Sequence, residues 1–143
     1  MKLRGHDLAA LAAARAGAVA SEFALVVPLL LTLFFGAIEY GGLAFSMSSM
    51  QFAANVVARD VAVNRLGEAE VPARVQALLP GWMQGAVTAD LNESHPDDPR
   101  QNIIRLRLEA PASEVTPLAI LTRLYPWTMS AEVDVRQELP YAE

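Results

Sequence analysis

Gly17 and Glu22 stand just ahead of a long apolar run, and that pairing suits proteolytic processing at a membrane edge. A glycine has no side chain to obstruct a protease subsite. Cutting after Gly17 would make Ala18 the new amino terminus and Glu22 the fifth residue, with Phe23 following. A carboxylate inside lipid costs about 2.5–3.5 kcal/mol at a helix centre and less near the interface. The freed α-amino group of a neighbouring subunit would compensate it in an assembly. The plainer account of Glu22 is an interfacial carboxylate favoured by the helix dipole by about 0.3–1 kcal/mol; with Gly17 and Phe23 beside it, the processing role is preferred. Glu39 is a second carboxylate in this apolar setting. Charges within a span are functional by default, yet Phe23 to Ile38 covers only about 24 Å of helix. Glu39 therefore also fits the outer interface with Tyr40 as an aromatic anchor, and that placement is preferred. Pro28 removes one helical hydrogen bond and predicts a kink, or else is a proline that a membrane helix tolerates.

Other chemistry is harder to assemble. His95 has Asp90, Glu93, Asp97 and Asp98 nearby, but the spacing lacks the glycine and terminal glutamate of a calcium loop, so it reads as a solvated acidic loop. No metal and no cofactor is expected. There is no phosphate loop, nucleophile elbow or catalytic carboxylate pair, and with no cysteine there are no thiolate sites, so enzyme activity is not expected. The net charge of −5 leaves no basic patch for phosphates, which argues against nucleic acid as a partner.

The elements that position these residues follow from patterning. The chain has 143 residues, 53% apolar and 19% charged. The excess apolar content lies between Phe23 and Phe45, where Glu39 is the one charge. Residues 1–22 carry Lys2, Arg4 and Arg15 against Asp7 and Glu22, whereas beyond Gly67 twelve carboxylates face six arginines. A basic flank, an apolar run and an acidic body predict a cytoplasmic N-terminus and an exported C-terminal part. Three segments are expected: a leader over 1–17, a membrane-spanning helix segment over 18–45, and an exported part over 46–143.

One long helix is predicted from Ser21 to about Leu66, apolar all round at first and amphipathic later. Met47, Met50, Ala54, Val57 and Val61 make its packing stripe, and Ser48, Gln51, Asn55 and Arg59 its polar side. At about 1.5 Å per residue it reaches about 65–70 Å, more than the ~30 Å hydrocarbon core needs. Gly67 is the expected C-cap, and PARVQALL from Pro72 a second short helix ended by Pro80 and Gly81. Alternation over Val87–Leu91, Ile104–Leu108 and Ala131–Val135 predicts three half-buried strands. Leu124, Tyr125, Pro126 and Trp127 are expected to close the small core, with a partner-binding patch as the lesser reading. The fold class is α+β, with the projecting helix packed on a small antiparallel sheet.

Three readings of the apolar run compete: a cleaved secretory signal, a plain signal anchor, and a prepilin-type segment cut on the cytoplasmic side. The helical pattern continues well past the run, and Ala44-Phe45-Ser46 is a poor cleavage site for a signal peptidase. A glycine followed at the fifth position by glutamate recurs in type IV prepilins. The stretch from Glu22 to Val63 resembles the TadE-like pseudopilins of the tight-adherence (Tad, Flp pilus) system. The resemblance is carried by the Glu22-Phe23 start, Pro28, and the block Gly36-Ala37-Ile38-Glu39-Tyr40-Gly41. Ser21 and Gly42 depart from that pattern, which more often has an aliphatic and a basic residue there.

The resemblance implies a type IV pilin-like fold and a structural role, as a minor pilin or pseudopilin processed by a prepilin peptidase and needed for assembly of adhesive Flp pili. Its implied partners are that peptidase, other pilin or pseudopilin subunits, the Tad inner-membrane assembly platform, and lipid through one transmembrane helix. The implied location is the bacterial inner membrane, single-pass, with the head periplasmic or carried into a surface pilus. A permanently anchored periplasmic scaffold of a secretion or pilus apparatus is the alternative.

Overall fold

The computed structural model describes residues 5–138. Met1 to Arg4 of the expected leader, and the side chain of Ala18, lie outside the described residues. The chain forms two compact units, residues up to Ala37 and residues from Ile38 onward.

Helix α1 (Gly5–Ala62) runs through both. It starts earlier than the expected Ser21 because the alanine-rich leader has strong helix propensity and nothing to break it. It continues across Pro28, where Thr32 Oγ1 donates to the Pro28 carbonyl at 2.8 Å. It stops at Ala62 and not near Leu66, and Gly67 is not its cap. Asn64 takes the left-handed conformation, φ 57°, with its amide on the Val61 carbonyl and the Arg65 amide on that of Asp60. Those two bonds make a Schellman ending, and asparagine tolerates the left-handed region well enough to supply it. Gly67 instead is extended at φ −80° and precedes a 3₁₀ turn, its amide donating to Glu70 Oε2 at 3.1 Å.

In the first unit, the described side chains of the apolar run find no cover: Phe23, Leu25, Leu29, Leu30, Leu33 and Phe34 are all exposed. The stretch Val19–Ala62 contains a window long and apolar enough to cross a membrane, and none of that window is buried.

The second unit is the α+β arrangement expected from the sequence. Helix α2 (Val71–Leu78) has proline in its first turn and buries Val71 and Val75. Strands β1 (Thr88–Glu93), β2 (Ile103–Pro111) and β3 (Thr128–Arg136) form an antiparallel sheet in the order β1-β2-β3. Register pairs Leu91 with Leu106 and Leu106 with Val133, so one face is apolar except at its edge, where Glu93 stands opposite Ile104 and accepts from Asn102. That face closes on α1: Met50, Ala53, Ala54, Val57, Ala58 and Ala62 share a core with Ile104, Leu106, Leu108 and Ala131. Alanines on the inner side of α1 let the sheet approach closely, while Gln51, Asn55 and Arg59 stay exposed. The opposite sheet face carries ion pairs, Arg105 to Asp134 at 2.8 Å and Arg107 to Glu109 at 2.7 Å.

The connection from β2 to β3 makes a 3₁₀ turn (Ala112–Glu114) and a one-turn helix α3 (Leu121–Leu124) before β3. Its aromatic end does not close the core, contrary to expectation. Leu124, Tyr125 and Trp127 are 68%, 77% and 51% exposed, because the small core is already filled by aliphatic side chains of α1, α2 and the sheet together with Met50, Met83 and Met129.

Candidate functional site

Gly17, Glu22 and Phe23 lie on exposed turns of α1, and a Cβ at Gly17 would meet nothing within 4 Å. Pro28 and Gly36 follow on the same helix, Pro28 exposed and Gly36 half-buried. These residues are strung along α1 over several turns, so the structure brings them to one helix and not to one pocket.

Glu39 is different. Its side chain is 1% exposed, although Tyr40 beside it is 75% exposed. Its Oε2 accepts from the amides of Ile120 at 3.2 Å and Leu121 at 2.8 Å, and its Oε1 from the Thr122 amide at 2.9 Å and Thr122 Oγ1 at 2.8 Å. The carboxylate thus takes up the N–H groups that open α3, which no intrahelical carbonyl can reach. Charge-assisted bonds of this kind are about twice as strong as neutral ones. Glu39 is therefore not the exposed interfacial carboxylate that was expected but a buried tie between α1 and the β2–β3 connection.

Two further positions continue the tie. A Cβ at Gly42 would come within 2.7 Å of Pro117 Cδ and 3.2 Å of Thr116 Oγ1, so only glycine admits the connection there. Gly41, by contrast, has nothing within 4 Å. The buried Ser46 hydroxyl donates to the Val115 carbonyl. Residues 39, 42 and 46 thus extend upward the line that Met50, Ala53 and Val57 continue into the core. Met50, Ala54, Val57 and Val61 are buried, and Met47 is half-buried against them. An apolar groove of about 410 Å³ lies beside this line, with Tyr40, Leu43 and Met47 on one wall and Trp127 and Met129 on the other.

Ser46 was missed from sequence and Gly42 was noted only as a departure from the family pattern, yet a signal existed: 39, 42 and 46 follow helical spacing into the stripe, and two of the three are small residues. Thr122 carried no such signal, since its partner lies 83 residues away.

Elsewhere, the acidic loop is held by its own groups. Buried Asn102 accepts from the His95 amide at 2.9 Å and donates to Glu93 and Gln137, and Asp98 accepts from the Arg100 amide. Among the described residues no group of three or more His, Asp or Glu is placed to hold a metal ion.

With Glu22, Pro28, Glu39 and the stripe on one continuous helix, comparison with known families has a definite segment to address. Residues 17–59 match the family model described as TadE-like protein. The TadE-like segment begins at Gly17 and takes in every motif residue from Glu22 to Gly41, as the resemblance implied. It ends before the helix does, and α3 with Thr122 lies outside it. Glu39 of the TadE-like segment is therefore held by groups that the segment does not contain. No curated protein and no solved structure matches the chain.

Proposed function

We propose that the chain is a pilin-like structural subunit, a TadE-like pseudopilin or minor pilin of a Tad/Flp pilus system. In this reading a prepilin peptidase cuts between Gly17 and Ala18, separating residues 1–17 from the span-bearing helix segment 18–45 and the exported part 46–143. The mature protein stays in the bacterial inner membrane, head periplasmic, until its helix joins other pilin-type helices at the assembly platform. The role is mechanical and needs no reaction at a catalytic centre.

One observation carries the proposal: within the matched segment, α1 runs uncharged from Phe23 to Ile38 with all but Val27 and Gly36 exposed, bounded by Glu22 and by a Glu39 already engaged in the head. Apolar surface on every side of a helix demands lipid or other helices. At the near end, a free α-amino group on Ala18 of one subunit would offer Glu22 of the next a charge partner, which gives cutting after Gly17 a physical purpose.

Mass spectrometry of the protein from cells with an active prepilin peptidase tests this, and the expected mature terminus is Ala18. Gly17→Trp should block cutting, and Glu22→Ala should leave cutting intact while reducing recovery in sheared fibres. A chain that still starts at Met1, and never appears in fibres, would overturn the processing step and indicate the permanently anchored scaffold.

A further inference from the structure

The geometry points to a membrane-surface contact made by the β2–β3 connection, which lays the patch of Ile120, Leu121, Leu124, Tyr125 and Trp127 into the lipid headgroup region. This rests on the reading that α1 spans the membrane up to Ile38. Glu39, the next residue, binds the first amides of α3 directly, so α3 is fixed against the first turn of α1 beyond the uncharged stretch. Whatever depth Ile38 reaches, α3 lies within about one helical turn of it. All five patch residues are between 44% and 77% exposed, as is Tyr40 at 75%. Amphipathic aromatic rings of this kind favour the boundary between acyl chains and headgroups.

Charge agrees with the position. The head beyond Gly67 holds twelve carboxylates and six arginines, yet from Val115 to Thr128 the single charged residue is Arg123. From Val115 onward the connection is the part of an acidic head that a negatively charged leaflet would repel least. Glu39, the carboxylate that touches α3, is buried and spends both oxygens on it, whereas Glu114 is exposed at the other end of the connection, in the 3₁₀ turn that follows β2. The tie therefore has a second consequence besides joining α1 to the connection. It removes from the neighbourhood of α3 a charge that would otherwise oppose contact with lipid.

Trp127 is itself the probe, because the chain has two tryptophans and Trp82→Phe leaves it alone. The full chain is reconstituted into phosphatidylcholine–phosphatidylglycerol vesicles whose lipids carry bromine either near the headgroup or near the acyl ends. Trp127 is expected to lose fluorescence to headgroup-proximal bromine and to lose less to bromine at the acyl ends. A second variant, Phe35→Trp with both native tryptophans changed to Phe, reports on the span and should be quenched most by the deeper bromine. Quenching at position 35 without quenching of Trp127 overturns the surface contact and leaves the span standing. Absence of quenching at both positions removes the span, and the contact with it. Should Trp127 escape the lipids while Tyr125 crosslinks between copies, the patch belongs to a second chain, and the proposal falls.

Discussion

Residues 23–38 and 46–62 of α1 are both apolar and lie on one helix, yet the first stretch exposes nearly all of its large side chains and the second buries an entire stripe. The second stretch carries Gln51, Asn55, Arg59 and Asp60 among its apolar residues, so it is less hydropathic than the first, and its polar residues are patterned to one side. In the first, Leu25, Leu33, Leu30, Phe34, Leu31 and Phe35 follow one another around all sides of the helix, so no single face can turn toward a sheet and satisfy the rest. In the second, Ala53, Ala54, Ala58 and Ala62 admit close approach on one side while Gln51, Asn55 and Arg59 meet water on the other. The same helix thus presents two kinds of surface, and the changeover falls at Glu39.

The sharpest way to break this contrast is to place the same charge in each stretch. Val57→Asp buries a carboxylate with no partner in the core, at a cost of several kcal/mol against a typical domain stability of about 5–15 kcal/mol. Loss of the cooperative near-ultraviolet melt of the head is expected. Leu30→Asp should leave that melt where it is, since Leu30 touches none of the head core, and should cost instead about 2.5–3.5 kcal/mol of insertion, read as weaker recovery with vesicles. Equal effects of the two on the melt would refute the division.

Glu39→Ala tests the boundary itself. It strands three amides and the Thr122 hydroxyl, and each buried donor left unpaired costs about 1–3 kcal/mol, partly recovered where water enters. The expected signature is local: amide exchange at Leu121 and Thr122 accelerates strongly, while the amides of β2 keep their protection. Glu39→Gln should fall between the two, because its amide retains one accepting oxygen. Unchanged exchange at Thr122 in the alanine variant would show that the tie does not hold α3.

How far these features were legible depends on the range of the interaction. The three strands, α2 and the stripe from Met50 to Val61 follow from periodicity, which is local, and the sequence expectation matched the structure in kind. The stop of α1 did not, because both Asn64 and Gly67 can occupy a left-handed position, and the choice rests on backbone bonds to Asp60 and Val61. Glu39 was noticed as an oddity, but its burial depends on a segment more than 80 residues away. Nothing in FGAIEYGG announces a partner in AILTRL. The aromatic cluster was misassigned for a related reason: composition marks it as apolar, and only the filled core shows that it must lie outside.

A smaller effect, but one of opposite sign at adjacent residues, comes from the glycine pair past the boundary. Gly42→Ala sets a Cβ 2.7 Å from Pro117 Cδ, and relieving it should cost about 1–3 kcal/mol as an overpacked contact. Gly41→Ala meets open space and should gain up to about 1 kcal/mol from helix propensity alone. Paired thermal melts of the two variants decide it. A basic residue at Gly42, common in the family that the segment resembles, would be excluded here by the same proline, so Gly42→Lys should disturb the connection at least as much as alanine.

The smallest expected effect lies on the outer face of the sheet and shows what a carboxylate contributes when it is not buried. Asp134 accepts two bonds from Arg105, at 2.8 and 2.9 Å, with both side chains about half exposed. Those hydrogen bonds, and then the nearby positive charge, hold the Asp134 carboxyl below the usual carboxylate range, while the same pairing pushes the Arg105 guanidinium further up. A depressed folded value means that the unfolded chain takes up its proton first as pH falls. The contribution is therefore complete at neutral pH, erodes as pH drops below the ordinary carboxylate range, and is gone once pH passes below the depressed value. Arg105 stays charged throughout. Asp134→Asn should accordingly lower the melting temperature slightly at neutral pH, with a gap from the parent that narrows on acidification and also shrinks in high salt, as for any solvated pair. A gap that widens toward acid would mean that Asp134 is stabilised in its protonated form, and that the ladder on this face is not what keeps Arg105 against the sheet.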